Sequence, residues 1–173
     1  MQPAPITDDT LRVLTYNLHG LLEDGPNPDW DPVRTAWLLD AIEDLDPDIV
    51  GFQEVLQHIG SGGSDNQIKT LADSLTRRTG RLWEYRSSMA HPSWDRFDEG
   101  AAILSRHPIL SSQKYMLEAK DVFQRNALAA RIQTPLGEIE FLTTHLAHRG
   151  EAEPVRMAQV AEIKRAVGSR TVD

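Results

Sequence analysis

The chain has no cysteine. Disulfides and thiolate metal sites are therefore excluded, and any ion it holds must take oxygen or imidazole donors. No apolar run is long enough to span a bilayer. The start, MQPAPITDDT, has neither the basic nor the apolar region of a secretory signal. By default this reads as a cytoplasmic protein with a disordered polar lead-in over residues 1–10. Bases are scarce in the first third: residues 1–60 hold 12 Asp/Glu against 2 Arg, residues 61–173 hold 14 against 16, and together they make the net charge of −8. So acidic a first third is a poor surface for polyanions and a better one for cations, although most such charges simply solvate a face. Internal repeats, low-complexity blocks and linkers are absent too. With 40% hydrophobic and 25% charged residues in 173, the composition is that of one globular domain with a sizeable core.

What is present is an ordered alternation of elements. LRVLTYNL (11–18) reads as a strand that runs into a turn at Gly20. DPVRTAWLLDAIEDLDPD reads as a helix with Asp31 as N-cap, Pro32 at its first position and Pro47 as its stop. Its apolar residues Val33, Trp37, Leu38, Ile42 and Leu45 fall near a helical period. DIVGFQEV is a second strand, and two strands joined by a helix are most often parallel neighbours. NQIKTLADSLTRRTG is a second helix ending at Gly80. Short strand-like runs follow: RLWEYRSS, EGAAILSRHPI, LSSQKYMLE, FQRNALAARIQT and GEIEFLTTHL, with TPLG as a hairpin turn between the last two. EAEPVRMAQVAEIKRAVG closes the chain as an amphipathic helix, with Val155, Ala158, Val160, Ile163 and Val167 near one face. The class is α/β, with a run of antiparallel strands in the second half.

Polar residues stand at the tips of these strands. Glu54 ends DIVGFQE and Asn17 ends LRVLTYN, so both lie at one sheet edge, where open α/β sheets bind ligands. An amide carbonyl beside a carboxylate suits Mg²⁺ or Mn²⁺, which keep several waters and take few protein oxygens. Taken singly, an Asn before a Gly turn is more often a turn former, and a strand-end Glu is usually solvated. Glu99 precedes a Gly-led strand and His145 ends IEFLTTH, which makes a constellation of four.

In this order and spacing, LRVLTYNLHG, DPDIVGFQEV, EGAAILSRHPI, ALAARIQTPLGEIEFLTTHLAHRG and EAEPVRMAQVAEI resemble the endonuclease/exonuclease/phosphatase superfamily, the deoxyribonuclease-I-like metal-dependent phosphoesterases. The resemblance covers almost the whole chain. It implies an α/β sandwich of mixed sheets packed face to face with flanking helices, and hydrolysis of a phosphoester by in-line attack of water. By position it implies Glu54 and Asn17 at a Mg²⁺ (or Mn²⁺) ion, His145 on the scissile phosphate, and Glu99 orienting a catalytic histidine or binding phosphate through neighbours. It also places Arg125 near substrate phosphates. Trp94 and Arg96, on the loop before Glu99, are candidates for touching substrate, and loops 58–66 and 89–98 for setting substrate choice. The substrate class spans nucleic acids, lipid head groups and small phosphoesters.

The family pattern continues beyond what this sequence holds. No Gly-Asp-x-Asn segment and no late Asp-His pair occur, so residues 11–173 read as the N-terminal portion of such a domain, the rest of which would activate the water. Three readings stay open: part of a larger phosphoesterase, a half-domain completed by another chain or by self-association over an exposed sheet face, or a non-catalytic binding module.

Overall fold

The computed structural model describes residues 10–23, 29–119, 123–148 and 153–168. The lead-in expected over residues 1–10 therefore lies almost wholly outside the described residues. The element order is β1 (Val13–Asn17), a single 3₁₀ turn (His19–Leu21), α1 (Pro32–Leu45), β2 (Ile49–His58), α2 (Gln67–Thr79), β3 (Glu84–Ser93), β4 (Phe97–Ser105), β5 (Ile109–Leu117), β6 (Arg125–Thr134), β7 (Gly137–Thr144) and α3 (Glu153–Gly168).

β1 and β2 are parallel neighbours, as the intervening helix requires. β2 pairs antiparallel with β4, and β4 with β3, so the first sheet runs β1-β2-β4-β3. The second is an antiparallel meander, β5-β6-β7. The sheets pack face to face through Ile49, Ala101 and Ile103 of the first and Leu128, Ala130 and Ile132 of the second. Gly51 lets them approach where β7 crosses β2, since a Cβ there would press on Thr143 and Phe141. On the other face of the first sheet α1 and α2 bury Leu38, Leu39, Ile42, Ile68, Leu71 and Leu75 against Val50, Phe52 and Leu104. The result is the expected α/β sandwich with flanking helices.

The helix ends follow local chemistry. Asp31 accepts from the N–H groups of Val33 (2.8 Å) and Arg34 (3.1 Å), the N-cap expected of it. α1 stops at Leu45, because Asp46 turns left-handed (φ 44°) and its N–H closes on the Ile42 carbonyl. Pro47 lies beyond that stop. α2 is capped by Asn66 and ended by left-handed Gly80.

Four expectations change. The inward stripe of α1 is Leu38, Leu39 and Ile42, whereas Val33, Trp37 and Leu45 are exposed. Leu39 beside Leu38 rotates the buried face away from the tryptophan, which is 69% exposed. EGAAILSRHPI is not one strand: it breaks at Arg106–Pro108, where the Ser105 hydroxyl accepts from the His107 N–H and Asp48 binds Arg106 and His107. Residues 89–98 are mostly a β3–β4 hairpin rather than a loop, so Glu99 sits inside β4. α3 is held less by its apolar face than by polar pins. Buried Gln159 accepts from the Ala147 N–H and donates to the Glu118 carbonyl, and Arg156 donates to the Ala147 carbonyl. Val155, Ala158, Val160 and Ile163 are only half-buried, and Val167 is exposed.

Candidate active site

β1 and β2 pair as far as Asn17 opposite Gln53. At that point β2 bulges: its register against β4 shifts between Phe52 and Val55. Glu54 sits in the bulge with a left-handed backbone, φ 52°. A glutamate in that conformation costs about 1–2 kcal/mol, and bulges re-aim side chains at functional sites. The strand itself continues to His58, so Glu54 stands at the end of the β1 pairing and not at the end of β2.

The bulge turns Glu54 toward its neighbours. Asn17 donates Nδ2–H to Glu54 Oε1 at 2.9 Å, and its own carbonyl accepts from the His19 N–H at 2.8 Å, an Asx turn that holds the amide in place. His145, the first residue past β7, lies with Nδ1 3.6 Å from Glu54 Oε1. Gln53 ties the sheets beneath them through the hydroxyls of Thr15 and Thr143.

Arg125, 5% exposed, forms the hub of the adjoining cleft. It donates to Glu99 Oε1 (3.3 Å), His145 Nδ1 (3.2 Å) and His148 Nδ1 (3.1 Å). Glu99 also accepts from the Ser93 hydroxyl at 3.3 Å and lies 3.8 Å from His91 Nε2. His91, Glu99, Gly100, Arg125, Asn126 and His145 line this cleft. His91 Nδ1 and Arg125 Nε are buried there without a hydrogen-bond partner among the described residues.

Burial, and after it the negative charge of Glu54, pushes the Glu99 carboxyl above its ordinary range, although Arg125 and Ser93 pull the other way. His145 is lowered, first by burial and then by the Arg125 charge, with Glu54 opposing. His91 is lowered by burial and by Arg125. Both imidazoles are consequently neutral at neutral pH.

Asn17, Glu54, Glu99, Arg125 and His145 thus converge, whereas Trp94 and Arg96 stand apart. Trp94, left-handed and 60% exposed, is at the β3–β4 hairpin tip. The Arg96 guanidinium lies over the Phe97 ring, 5.4 Å from its centroid. A wider groove at the opposite end of the sheet is lined by Arg81, Glu84, Arg106 and His107, with both arginines committed to Asp46.

The donor set decides what ion fits. Among the described residues no cluster of three or more His, Asp or Glu is arranged to hold a metal. The half-exposed Glu54 carboxylate is a hard-oxygen site of low denticity; Asn17, expected beside it as a second ligand, turns its Nδ2–H to Glu54 and its oxygen to the His19 N–H. The site fits a cation that keeps most of its water, as Mg²⁺ and Mn²⁺ do, and not a tetrahedral Zn²⁺ centre.

Residues 14–168 match the family model described as Endonuclease/Exonuclease/phosphatase family. The chain belongs to the endonuclease/exonuclease/phosphatase family. Among solved structures, it is similar to a family protein from Leptotrichia buccalis C-1013-b (TM-score 0.75, 21% identity), covering 95% of this chain and 62% of that one. A family protein from Beutenbergia cavernae DSM 12333 is similar with TM-score 0.68 and 24% identity over 94% of this chain and 44% of that one. The human Nocturnin catalytic domain with bound sulfate anion gives 0.60 and 20% over 81% and 52%. No curated protein matches by sequence. This chain therefore spans less than two thirds of the length of these solved relatives.

Members of the endonuclease/exonuclease/phosphatase family are phosphoester hydrolases, in general dependent on divalent metal. Sequence reasoning missed His91, Ser93 and His148 in this family member's cleft. Counting back from the hairpin would have set His91 opposite Glu99, the register the structure shows. For His148 the available signal was its place in HLAH, three residues after the histidine already singled out.

Proposed function

We propose that this chain carries the phosphate- and ion-binding part of a metal-dependent phosphoester hydrolase. The observation that carries this is the convergence of Asn17, Glu54, Glu99, Arg125 and His145 from five separate strands and strand ends into one cleft. Glu54 holds the cation, Mg²⁺ or Mn²⁺, and Asn17 orients its carboxylate. A bound divalent ion supplies charge neutralisation at the phosphoryl oxygens. His145, whose Nδ1 is taken by Arg125, offers Nε2–H to a non-bridging oxygen, and the Arg125 charge stands behind it where negative charge builds up. Glu99 holds Arg125 in place, so its own part is positional. Water attacks phosphorus in line: its oxygen bonds to phosphorus as the ester P–O bond opposite breaks, and the proton that water loses is matched by the one the leaving oxygen takes up. The sulfate anion bound by Nocturnin, a tetrahedral oxyanion in a protein of the same fold, is consistent with such a pocket. The acidic first third disfavours non-specific duplex binding, which needs a basic track. Trp94 and Arg96 at the hairpin tip would meet only the outer part of a substrate.

Hydrolysis of bis-p-nitrophenyl phosphate with Mg²⁺ or Mn²⁺ tests this. Turnover should require the metal, and Glu54→Gln should lower kcat/KM by at least about a hundredfold. Turnover that is absent, or indifferent to Glu54, removes catalysis by this polypeptide alone.

A second reading is favoured by the sheet edge. β1 ends the first sheet with Val13 and Tyr16 exposed, and β7 lies over β2 and not over β1. The sandwich is open on that side, so a second polypeptide would complete the site, including the base that activates water, or another copy of this chain would cover the edge.

A further inference from the structure

His148 plays no part in the chemistry above, yet it shares its anchor with His145. Arg125 donates Nη1–H to His145 Nδ1 and Nη2–H to His148 Nδ1. A guanidinium can only donate, so both Nδ1 atoms must accept, and each neutral ring then carries its proton on Nε2. The two rings lie nearly parallel, 20° apart in plane with centroids separated by 6.1 Å. Ala147, between them in the chain, is buried and clamped from both sides: its N–H goes to Gln159 and its carbonyl accepts from Arg156. The segment that carries the two histidines is thus fixed by α3, and their rings by a buried arginine that Glu99 holds in turn.

We infer that His148 is a second oxyanion-contacting residue, a role that rests on the phosphoester reading of the cleft. With His145 it presents two Nε2–H donors on the side away from Arg125. Each N–H···O bond spans about 2.9 Å, so one phosphoryl group can bridge two rings at this separation. His145 is half-buried beside Glu54, and His148, on the other terminal nitrogen of Arg125, is exposed. His148 therefore meets the outer oxygens of a phosphoryl group whose inner oxygens face His145. It is a binding residue.

The test uses the full chain, inorganic phosphate as the probe and no metal, so it needs no turnover. Long-range ¹H–¹⁵N spectra should show both rings protonated at Nε2, with the His148 Nε2 resonance moving as phosphate is added. His148→Asn leaves an amide oxygen near the place of Nδ1 but removes the outward donor, and should weaken phosphate binding about tenfold. His148→Gln carries an amide N–H toward the place of Nε2 and should stay within about threefold of the parent. Thermal melts of both variants check that each is folded. The inference is overturned if His148→Asn keeps the parent's affinity, since its retained acceptor for Arg125 would then be all that matters, or if His148→Gln loses as much as His148→Asn, since an outward donor would then restore nothing. It is equally overturned if the His148 resonance ignores phosphate or if the parent chain binds none. Failure of the phosphoester reading shows elsewhere, as turnover independent of metal and Glu54.

Discussion

At the scale of single residues, this chain places its charges where a partner is already waiting. Asp48 is 2% exposed just before β2 and accepts from the Arg12 N–H (2.7 Å), Arg106 and His107. Burial alone would raise its pKa, but the Arg12 N–H, His107 and Arg106 together outweigh burial and hold it below the ordinary 3.8. A depressed carboxyl stabilises the fold above its unfolded pKa, and that contribution is lost as pH falls through the folded value. Asp48→Asn should cost ~3 kcal/mol at pH 7 by leaving Arg106 short of a carboxylate. The gap to the parent, measured by urea unfolding, should hold from neutral pH down to mildly acid conditions and should close only as pH falls below the ordinary 3.8. A gap that closes near pH 6 would mean that a histidine, not Asp48, sets the dependence.

Elements are fixed by their caps and by which stripe they bury. For α1 the periodicity pointed to a face through Val33, Trp37, Leu38, Ile42 and Leu45, and packing chose instead the one through Leu38, Leu39 and Ile42. The two faces make opposite predictions. Trp37→Glu should change stability by no more than about 0.5 kcal/mol, because the ring is mostly in water. Ile42→Ala should cost about 2–5 kcal/mol, because the side chain is fully buried. Chemical denaturation of the two variants decides it, and a large loss at Trp37 would mean that something covers that face in solution. Hairpin geometry was equally hidden. The Trp94–Asp95 turn takes two non-glycine residues with positive φ, so no glycine signal marked it, and residues 89–98 read as a loop. That one misreading concealed His91, whose place in the cleft follows from strand register alone.

Across the whole molecule, two sheets of unequal width are stacked so that β1 projects past its partner sheet. Exposed strand edges with apolar side chains invite pairing with another chain. The chain should associate as its concentration rises, and Val13→Lys, which places a charge on that edge, should return it toward monomer in sedimentation velocity runs. A monomer at all concentrations would argue that the edge is blunted as it stands, and would weaken the half-domain reading. Among the described residues no helix is long and apolar enough to cross a membrane.

Family motifs, helix caps, parallel pairing of the first two strands and the place of Asn17 and Glu54 at one sheet edge were legible in the sequence. Each depends on nearest neighbours along the chain or on the alternation of polar and apolar residues, and these need no knowledge of what packs against them. Only the tertiary structure decided that Glu54 is aimed by a bulge, that Asn17 turns its amide nitrogen to that carboxylate, and that Arg125 gathers Glu99, His145 and His148. Those are contacts between residues far apart in sequence. They are set by strand register and by how closely two sheets can approach, neither of which a linear pattern encodes.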